Sequence, residues 1–215
     1  PNCSTIQMVM ALAPIHRLFG LREIVVSTYQ AVSGAGKAAM EELGRQAVER
    51  FNFKDPQPEV FAQPIGFNLI PLIDEITDGG FSKEEMKMVN ETRRLLAAPD
   101  LAVHATAVRV PVFNGHAESI CVRTQKPIDL DRIKAAWAEG SGIRLADDPA
   151  PATPLTHGAN QDAVWVSRVR PLLDDPNGLM LWVVADNLRK GAALNAVQII
   201  EALWDARRPA TAPTH

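Results

Sequence analysis

Leu101-Ala102-Val103-His104-Ala105-Thr106-Ala107-Val108-Arg109-Val110-Pro111-Val112-Phe113-Asn114-Gly115-His116-Ala117-Glu118-Ser119-Ile120-Cys121-Val122-Arg123 sets the class of the fold. Its first half, Leu101 to Val112, places Val103, Ala105, Ala107 and Val108 around His104 and Arg109 and predicts a strand. Ala117 to Arg123 predicts a second. Between them Phe113-Asn114-Gly115-His116 carries an Asn-Gly pair, a strong short-range signal for a tight reversal. A like arrangement recurs downstream, where Val164 to Val169 and Leu179 to Ala185 flank Asp175-Pro176-Asn177-Gly178. Strands joined by hairpins pair antiparallel. The expectation is an α+β fold, a mixed and mostly antiparallel sheet with helices packed on one face, rather than a doubly wound parallel sheet.

Outward from these pairs, periodicity and end signals place the other elements. A first helix runs from about Ser4 to Phe19 and stops at Gly20, with Asn2 or Ser4 as its cap. Arg22 to Gln30 is rich in β-branched residues and predicts a strand. Ala31-Val32-Ser33-Gly34-Ala35-Gly36 turns the chain into a helix from Lys37 to about Phe51. Residues 54–67 read as an irregular connector with room for one strand around Val60. Ser82 and Glu85 form a capping box that opens a helix to about Ala98. Asp129 or Asp131 caps Leu130 to Glu139, ended by Gly140, and Ile143 to Leu145 is a short strand. Residues 147–163 form a loop, and the last helix spans about Ala192 to Trp204. Residues 1–206 are expected to form one domain, followed by a disordered tail over residues 207–215.

The chain has 215 residues, 47% hydrophobic and 22% charged, enough for a sizeable core. A net charge of −3 leaves no basic footprint for nucleic acid. No apolar run reaches membrane-spanning length, and no secretory signal is visible. Two cysteines make no disulfide framework, so a reducing cytoplasm is the expected compartment. No metal site is expected.

Several residues carry chemistry. Cys3 stands at the start of a helix, where the dipole and free amides favour the thiolate, the nucleophilic form. The plain alternative is a small buried residue under the first turn. Ser33 and Gly34 lie in a small-residue turn between strand and helix, where backbone N–H groups can approach a ligand. That turn lacks the full dinucleotide spacing. Glu84 and Lys87 share a helix face and read equally as an exposed ion pair. Arg109 and His116 bracket the Asn-Gly turn and can reach one site. Cys121 reads as a buried strand residue.

Taken together, Pro1-Asn2-Cys3-Ser4-Thr5, Ser27-Thr28-Tyr29-Gln30-Ala31-Val32-Ser33-Gly34-Ala35-Gly36, Glu84-Glu85-Met86-Lys87 and Val108-Arg109-Val110-Pro111 with His116 closely resemble the aspartate-β-semialdehyde dehydrogenase family, bacterial type. The resemblance runs from Pro1 to about Ala202. It implies a glyceraldehyde-3-phosphate-dehydrogenase-like C-terminal domain for catalysis and homodimerisation, with an N-terminal NADP-binding domain absent from this chain. The implied reaction is NADP-dependent reductive dephosphorylation of aspartyl-4-phosphate to aspartate-4-semialdehyde, in lysine, methionine and threonine biosynthesis. By the same resemblance Cys3 is the nucleophile that forms an acyl-thioester, and His116 the general acid and base. Gln30 and Glu84 orient substrate, Arg109 clamps its carboxylate, and Lys87 meets phosphate. Ser33 and Gly34 touch the cofactor, and Asn187 stands on the nicotinamide side.

These roles also make physical sense. A thioester needs a polarisable nucleophile, and histidine titrates near neutrality. The planar arginine fork suits a carboxylate, whereas lysine meets phosphate as a point charge. Three other readings compete: a non-catalytic dimerisation module, a cysteine hydrolase using Cys3 and His116, and a relative of N-acetyl-glutamyl-phosphate reductase. The Tyr29-to-Gly36 and Glu84–Lys87 motifs point away from the last. The chain on its own is expected to be inactive.

Overall fold

The computed structural model describes residues 1–140, 142–146 and 149–207. In chain order the elements are α1 (Cys3–Phe19), β1 (Leu21–Gln30), α2 (Lys37–Phe51), α3 (Lys83–Leu95), β2 (Ala102–Arg109), β3 (His116–Thr124), α4 (Leu130–Glu139), β4 (Ile143–Leu145), β5 (Val164–Pro171), β6 (Gly178–Ala185) and α5 (Leu194–Arg207). The six strands form one sheet in the order β2-β1-β3-β6-β5-β4. The β5–β6 pair is antiparallel, as its turn signals predict.

The pairing expected of Leu101–Val112 with Ala117–Arg123 does not occur. β1 lies between them, parallel to β2 and antiparallel to β3. Its apolar residues Ile24 and Val26 are fully buried, so β1 is a central strand with two edges to satisfy. α2 and α3 supply the long crossover that a parallel β1–β2 pair requires. The Asn-Gly segment therefore arches over the end of β1 instead of closing a hairpin. There Val112 and Phe113 accept hydrogen bonds from the N–H groups of Val32 and Ser33, at 2.9 and 3.2 Å. Gly115, at φ 89°, lies against Pro154, where a side chain would meet backbone at 3.2 Å.

Local signals fix most helix ends. Asn2, not Ser4, caps α1 by accepting from the Thr5 N–H at 2.6 Å. Both bonds of the Ser82–Glu85 capping box are present. α3 ends at Leu95, three residues early, because Ala97 takes φ 52°. α4 matches its expected bounds, with Asp129 as cap. The segment around Val60 forms no strand; its amides bond to side chains of α2 instead. A π-helical turn, Arg189–Ala193, precedes α5, which then runs to Arg207. The tail expected beyond it lies outside the described residues.

Three helices, α1, α3 and α4, pack on one face of the sheet, while α2 packs on the segment that follows it. Met8, Leu12 and Ile15 of α1, Met88 of α3, and Ile133 and Trp137 of α4 meet Ile24, Val26, Ile120, Val122, Leu181 and Val183. Trp137 donates from Nε1 to the Ala11 carbonyl at 2.8 Å, so its polar edge is satisfied inside the core. The opposite face is only partly covered, by Ala152 against the sheet residues Ala117, Trp165, Trp182 and Val184. Cys121 lies on that face and is half-buried rather than buried.

Leu12→Ala should cost about 2–5 kcal/mol, since Leu12 is wholly enclosed. Ser82→Ala should cost about 1 kcal/mol, the loss of one helix cap. Urea unfolding of each variant measures both, and equal costs would contradict this partition.

Candidate active site

The strand registers gather the chemistry at one end of the helix-covered face. Gln30, the last residue of β1, stands beside Arg109, the last of β2. His116 opens β3 where β1 ends, paired with Ala185 at the end of β6. Over that end the first turn of α1 carries Cys3. Gly191 of the π-helical turn presses on it, so that a Cβ there would lie 2.8 Å from the Cys3 Cβ.

Ala31 joins two of these groups. Its N–H donates to His116 Nδ1 at 3.0 Å, and its carbonyl accepts from Arg109 Nη1 at 2.7 Å. With Nδ1 accepting, the proton of the neutral imidazole sits on Nε2. That nitrogen has no hydrogen-bond partner among the described residues. Burial, reinforced by the Arg109 charge, pulls His116 down to about 3, so the ring is neutral at pH 7. Arg109 is itself buried, and no carboxylate pairs with it among the described residues. Gly34 packs against both: a Cβ there would meet Arg109 Nη1 at 2.9 Å and the His116 ring at 3.4 Å.

A second chain of contacts runs outward. Gln30 Nε2 donates to Glu84 Oε1 at 3.2 Å and to Thr28 Oγ1 at 3.3 Å. Glu84 pairs with Lys87 at 3.5 Å, and Lys87 with Asp74 at 3.0 Å. A third set closes the opposite side. Asn187 Nδ2 donates to Ser33 Oγ at 2.9 Å, and Asn187 Oδ1 accepts the Gly115 N–H at 3.0 Å. The residues expected to form the site thus gather in one cluster, whereas Cys121 lies on the other face of the sheet.

One expectation is reversed. Cys3 does start a helix, yet its thiol is pushed up to about 11 instead of down. Burial is the main cause, and the nearby Glu84 carboxylate adds to it. The Ser4 N–H and Arg109 act the other way and are outweighed. The resting pair is therefore a thiol and a neutral imidazole.

Two neighbours escaped the sequence reading. Glu118 is fully buried, with no donor in hydrogen-bonding geometry among the described residues. Burial drives its carboxyl well above the usual range, opposed by the Gln7 amide beside it. Strand alternation was the available signal, since residues 116 and 118 share a face. Asp186 accepts from the Leu188 and Arg189 N–H groups at 2.8 and 2.9 Å and from Asn114 Nδ2 at 2.8 Å. It locks the turn that carries Asn187 and Gly191. No group of three or more His, Cys, Asp or Glu among the described residues could hold a metal ion.

Cys3, His116 and the buried Arg109 thus gather at one end of a mixed sheet, with the polar side chains of Gln30, Glu84 and Asn187 around them. The family model "Semialdehyde dehydrogenase, dimerisation domain" matches residues 12–190, and the chain belongs to that family. It is 48% identical over 206 residues to "Aspartate-semialdehyde dehydrogenase 2" of Vibrio cholerae, covering 94% of this chain and 60% of that protein. Against the aspartate-semialdehyde dehydrogenase of Bacillus subtilis it is 46% identical over 213 residues, covering 94% and 62%. A crystal structure of the Vibrio cholerae aspartate semialdehyde dehydrogenase II, complexed with ASA, superposes with a TM-score of 0.93 at 46% identity, covering 97% of this chain and 62% of that one. The chain therefore spans about 60% of the length of these relatives.

The buried His116 gives a pH prediction. Its native pKa of about 3 lies below the 6.5 expected when unfolded, so the unfolded state binds more protons between those values. Stability from this group is complete above pH 6.5 and is lost as pH falls towards 3. The slope approaches ~1.4 kcal/mol per pH unit. His116→Asn should flatten this acid limb in urea titrations, and an unchanged limb would contradict the assignment.

Proposed function

We propose that this chain is the catalytic and dimerisation domain of an NADP-dependent aspartate-semialdehyde dehydrogenase. It would act on aspartyl-4-phosphate in the cytoplasm, in lysine, methionine and threonine biosynthesis. The observation that carries the reading is a pair of unmet groups at the site: among the described residues buried Arg109 forms no ion pair, and buried His116 Nε2 has no hydrogen-bond partner. Leaving such groups unpaired costs stability, which a ligand carboxylate and a reacting thiol can recover.

In this reading His116 Nε2–H donates to the acyl oxygen of the substrate as Cys3 Sγ attacks the acyl carbon and gives up its proton to the departing phosphate. The C–S bond forms, the C–O bond to phosphate breaks, and inorganic phosphate leaves a thioester on Cys3. Neither Cys3 nor His116 ionises readily alone, so the imidazole stays neutral as a hydrogen-bond donor, in place of the general base the resemblance implies, and the thiol loses its proton only as the C–S bond forms. Arg109 holds the substrate carboxylate with its fork. That contact cancels the charge that helps keep His116 unprotonated. Gln30 and Glu84 orient the substrate, and Lys87 meets the phosphate. Ser33, Gly34 and Asn187 fit the nicotinamide end, because Gly34 brings bare backbone against the catalytic pair. NADPH, when bound, supplies the hydride. As the aldehyde leaves, its oxygen keeps the His116 Nε2–H bond, and the Cys3 thiolate takes a proton from solvent to restore the thiol.

Joining this chain to a nucleotide-binding domain tests the reading. Oxidation of aspartate semialdehyde should then require both NADP and phosphate, the chain alone should be inactive, and Cys3→Ala should abolish turnover. Arg109→Lys should lower kcat/KM at least about tenfold, because the swap keeps charge and loses the fork. Release of free acid without NADP would instead indicate a cysteine hydrolase, and no activity in any form a binding module.

The homodimer is proposed on the outer face of the sheet. Val25, Cys121 and Met180 stand side by side across β1, β3 and β6, followed by the row Ser27, Ser119 and Trp182. Val25 is 41% exposed, unusual for a central strand. A self-complementary C2 contact there should bury more than about 1,000 Å². Light scattering at micromolar concentration should report a dimer, and a single 23.4 kDa species would refute it.

A further inference from the structure

The segment between α2 and α3 has almost no regular structure, yet two buried polar side chains of α2 hold part of it in place. Glu42 and Gln46 are 3% and 0% exposed and lie one helical turn apart. Glu42 Oε1 accepts from Gln46 Nε2 at 2.8 Å, and Glu42 Oε2 accepts the Val60 N–H. Gln46 Oε1 accepts two backbone donors, Ile65 N–H at 2.7 Å and Gly66 N–H at 2.8 Å. The contact is close: a Cβ on Gly66 would come within 2.9 Å of the Gln46 Cβ. A buried glutamate is costly for a helix whose only task is to cover a core. Here Glu42 fixes one backbone amide and Gln46 two, none of which has a ladder of its own.

What these amides position is Phe61, the residue after Val60. Its ring lies under the Arg109 guanidinium, with Cζ 5.9 Å from the centroid. Farther along, the same segment bonds to the Arg109 backbone. Ile70 N–H donates to the Arg109 carbonyl at 3.0 Å, and Arg109 N–H to the Ile70 carbonyl at 2.8 Å. Ile65 and Ile70 pack on Val32, Ala39 and Leu43, which seats the segment against α2. A small cavity lined by Phe61, Ile70, Ile73, Asp74 and Arg109 adjoins this contact.

We infer that Glu42, Gln46 and Phe61 are positioning residues for Arg109. The Ala31 carbonyl holds one guanidinium nitrogen, and the Phe61 ring limits the tilt of the plane. Together they leave one orientation of the fork. A bidentate carboxylate contact depends on that orientation, and its precision sets binding. The inference rests on the reading of Arg109 as the carboxylate clamp, and it adds a support that reaches back to the second turn of α2. A cation–π contact of this kind contributes modestly, so the effect should fall on substrate binding rather than on chemistry.

The test uses the chain joined to its nucleotide-binding domain, with KM and kcat measured for aspartate semialdehyde. Phe61→Leu should raise KM about fivefold with kcat within about twofold and the thermal midpoint nearly unchanged, as loss of about one cation–π contact implies. Phe61→Tyr should restore the KM. Gln46→Leu, which keeps bulk and loses the acceptor, should raise KM in the same direction and also lower stability. Arg109→Lys is the separating arm. If it impairs kcat/KM while Phe61→Leu leaves KM unchanged, the positioning role is overturned and the clamp stands. If Arg109→Lys is itself silent, the clamp reading fails first. A Phe61→Leu variant that loses kcat and thermal stability together, with KM unmoved, shows a purely structural residue and also overturns the inference.

Discussion

The backbone of Ala31 holds the site together. It follows β1 directly, its N–H fixes the His116 ring, and its carbonyl fixes the Arg109 guanidinium. This works only because β1 is central. Parallel pairing with β2 ends both strands at the same level, with Gln30 beside Arg109. Antiparallel pairing with β3 makes His116 begin there. A shift of one residue in either register would turn these side chains to the opposite face. The buried row of Ile24, Val26, Ile120 and Val122 makes such a shift expensive, so the core enforces the geometry of the site.

Electrostatics then set the resting state. The same burial that holds Cys3, Arg109 and His116 in place works against charge on each of them. The helix start above Cys3 and the guanidinium beside it are too weak to offset the loss of water and the Glu84 carboxylate. The unliganded site is therefore a thiol, a neutral imidazole and a cation that forms no ion pair among the described residues. In the proposed function the substrate completes this set, because its carboxylate brings the missing negative charge. In that proposal reactivity is tied to occupancy, which would protect Cys3 between turnovers.

Much of this was legible in the chain. α4 and α2 follow their end signals to the residue, and the capping box at Ser82 formed as read. The clustering of Cys3, Gln30, Glu84, Arg109 and His116 was foreseen through a family resemblance rather than through spacing, since these residues meet only in three dimensions. The Asn114-Gly115 reversal misled for a physical reason. A turn signal reports the local chain, and nothing local shows that a strand from the first 30 residues already occupies the space between β2 and β3. The sign of the Cys3 shift was hidden likewise, because burial is a property of packing and not of a helix start. Phe61, Glu42 and Gln46 gave no signal at all: one lies in an irregular loop, and the other two look like ordinary polar helix residues.

The central claim is that Cys3 carries the acyl group while Arg109 and His116 serve it. Mass spectrometry of the enzyme joined to its nucleotide-binding domain tests this most directly. Aspartate semialdehyde and NADP are mixed with it in the absence of phosphate, and the protein is digested at acid pH. The account predicts a burst of reduced cofactor equal to the enzyme present and an aspartyl adduct on the peptide that contains Cys3. An adduct on any other residue, or a burst that survives Cys3→Ala, would contradict it.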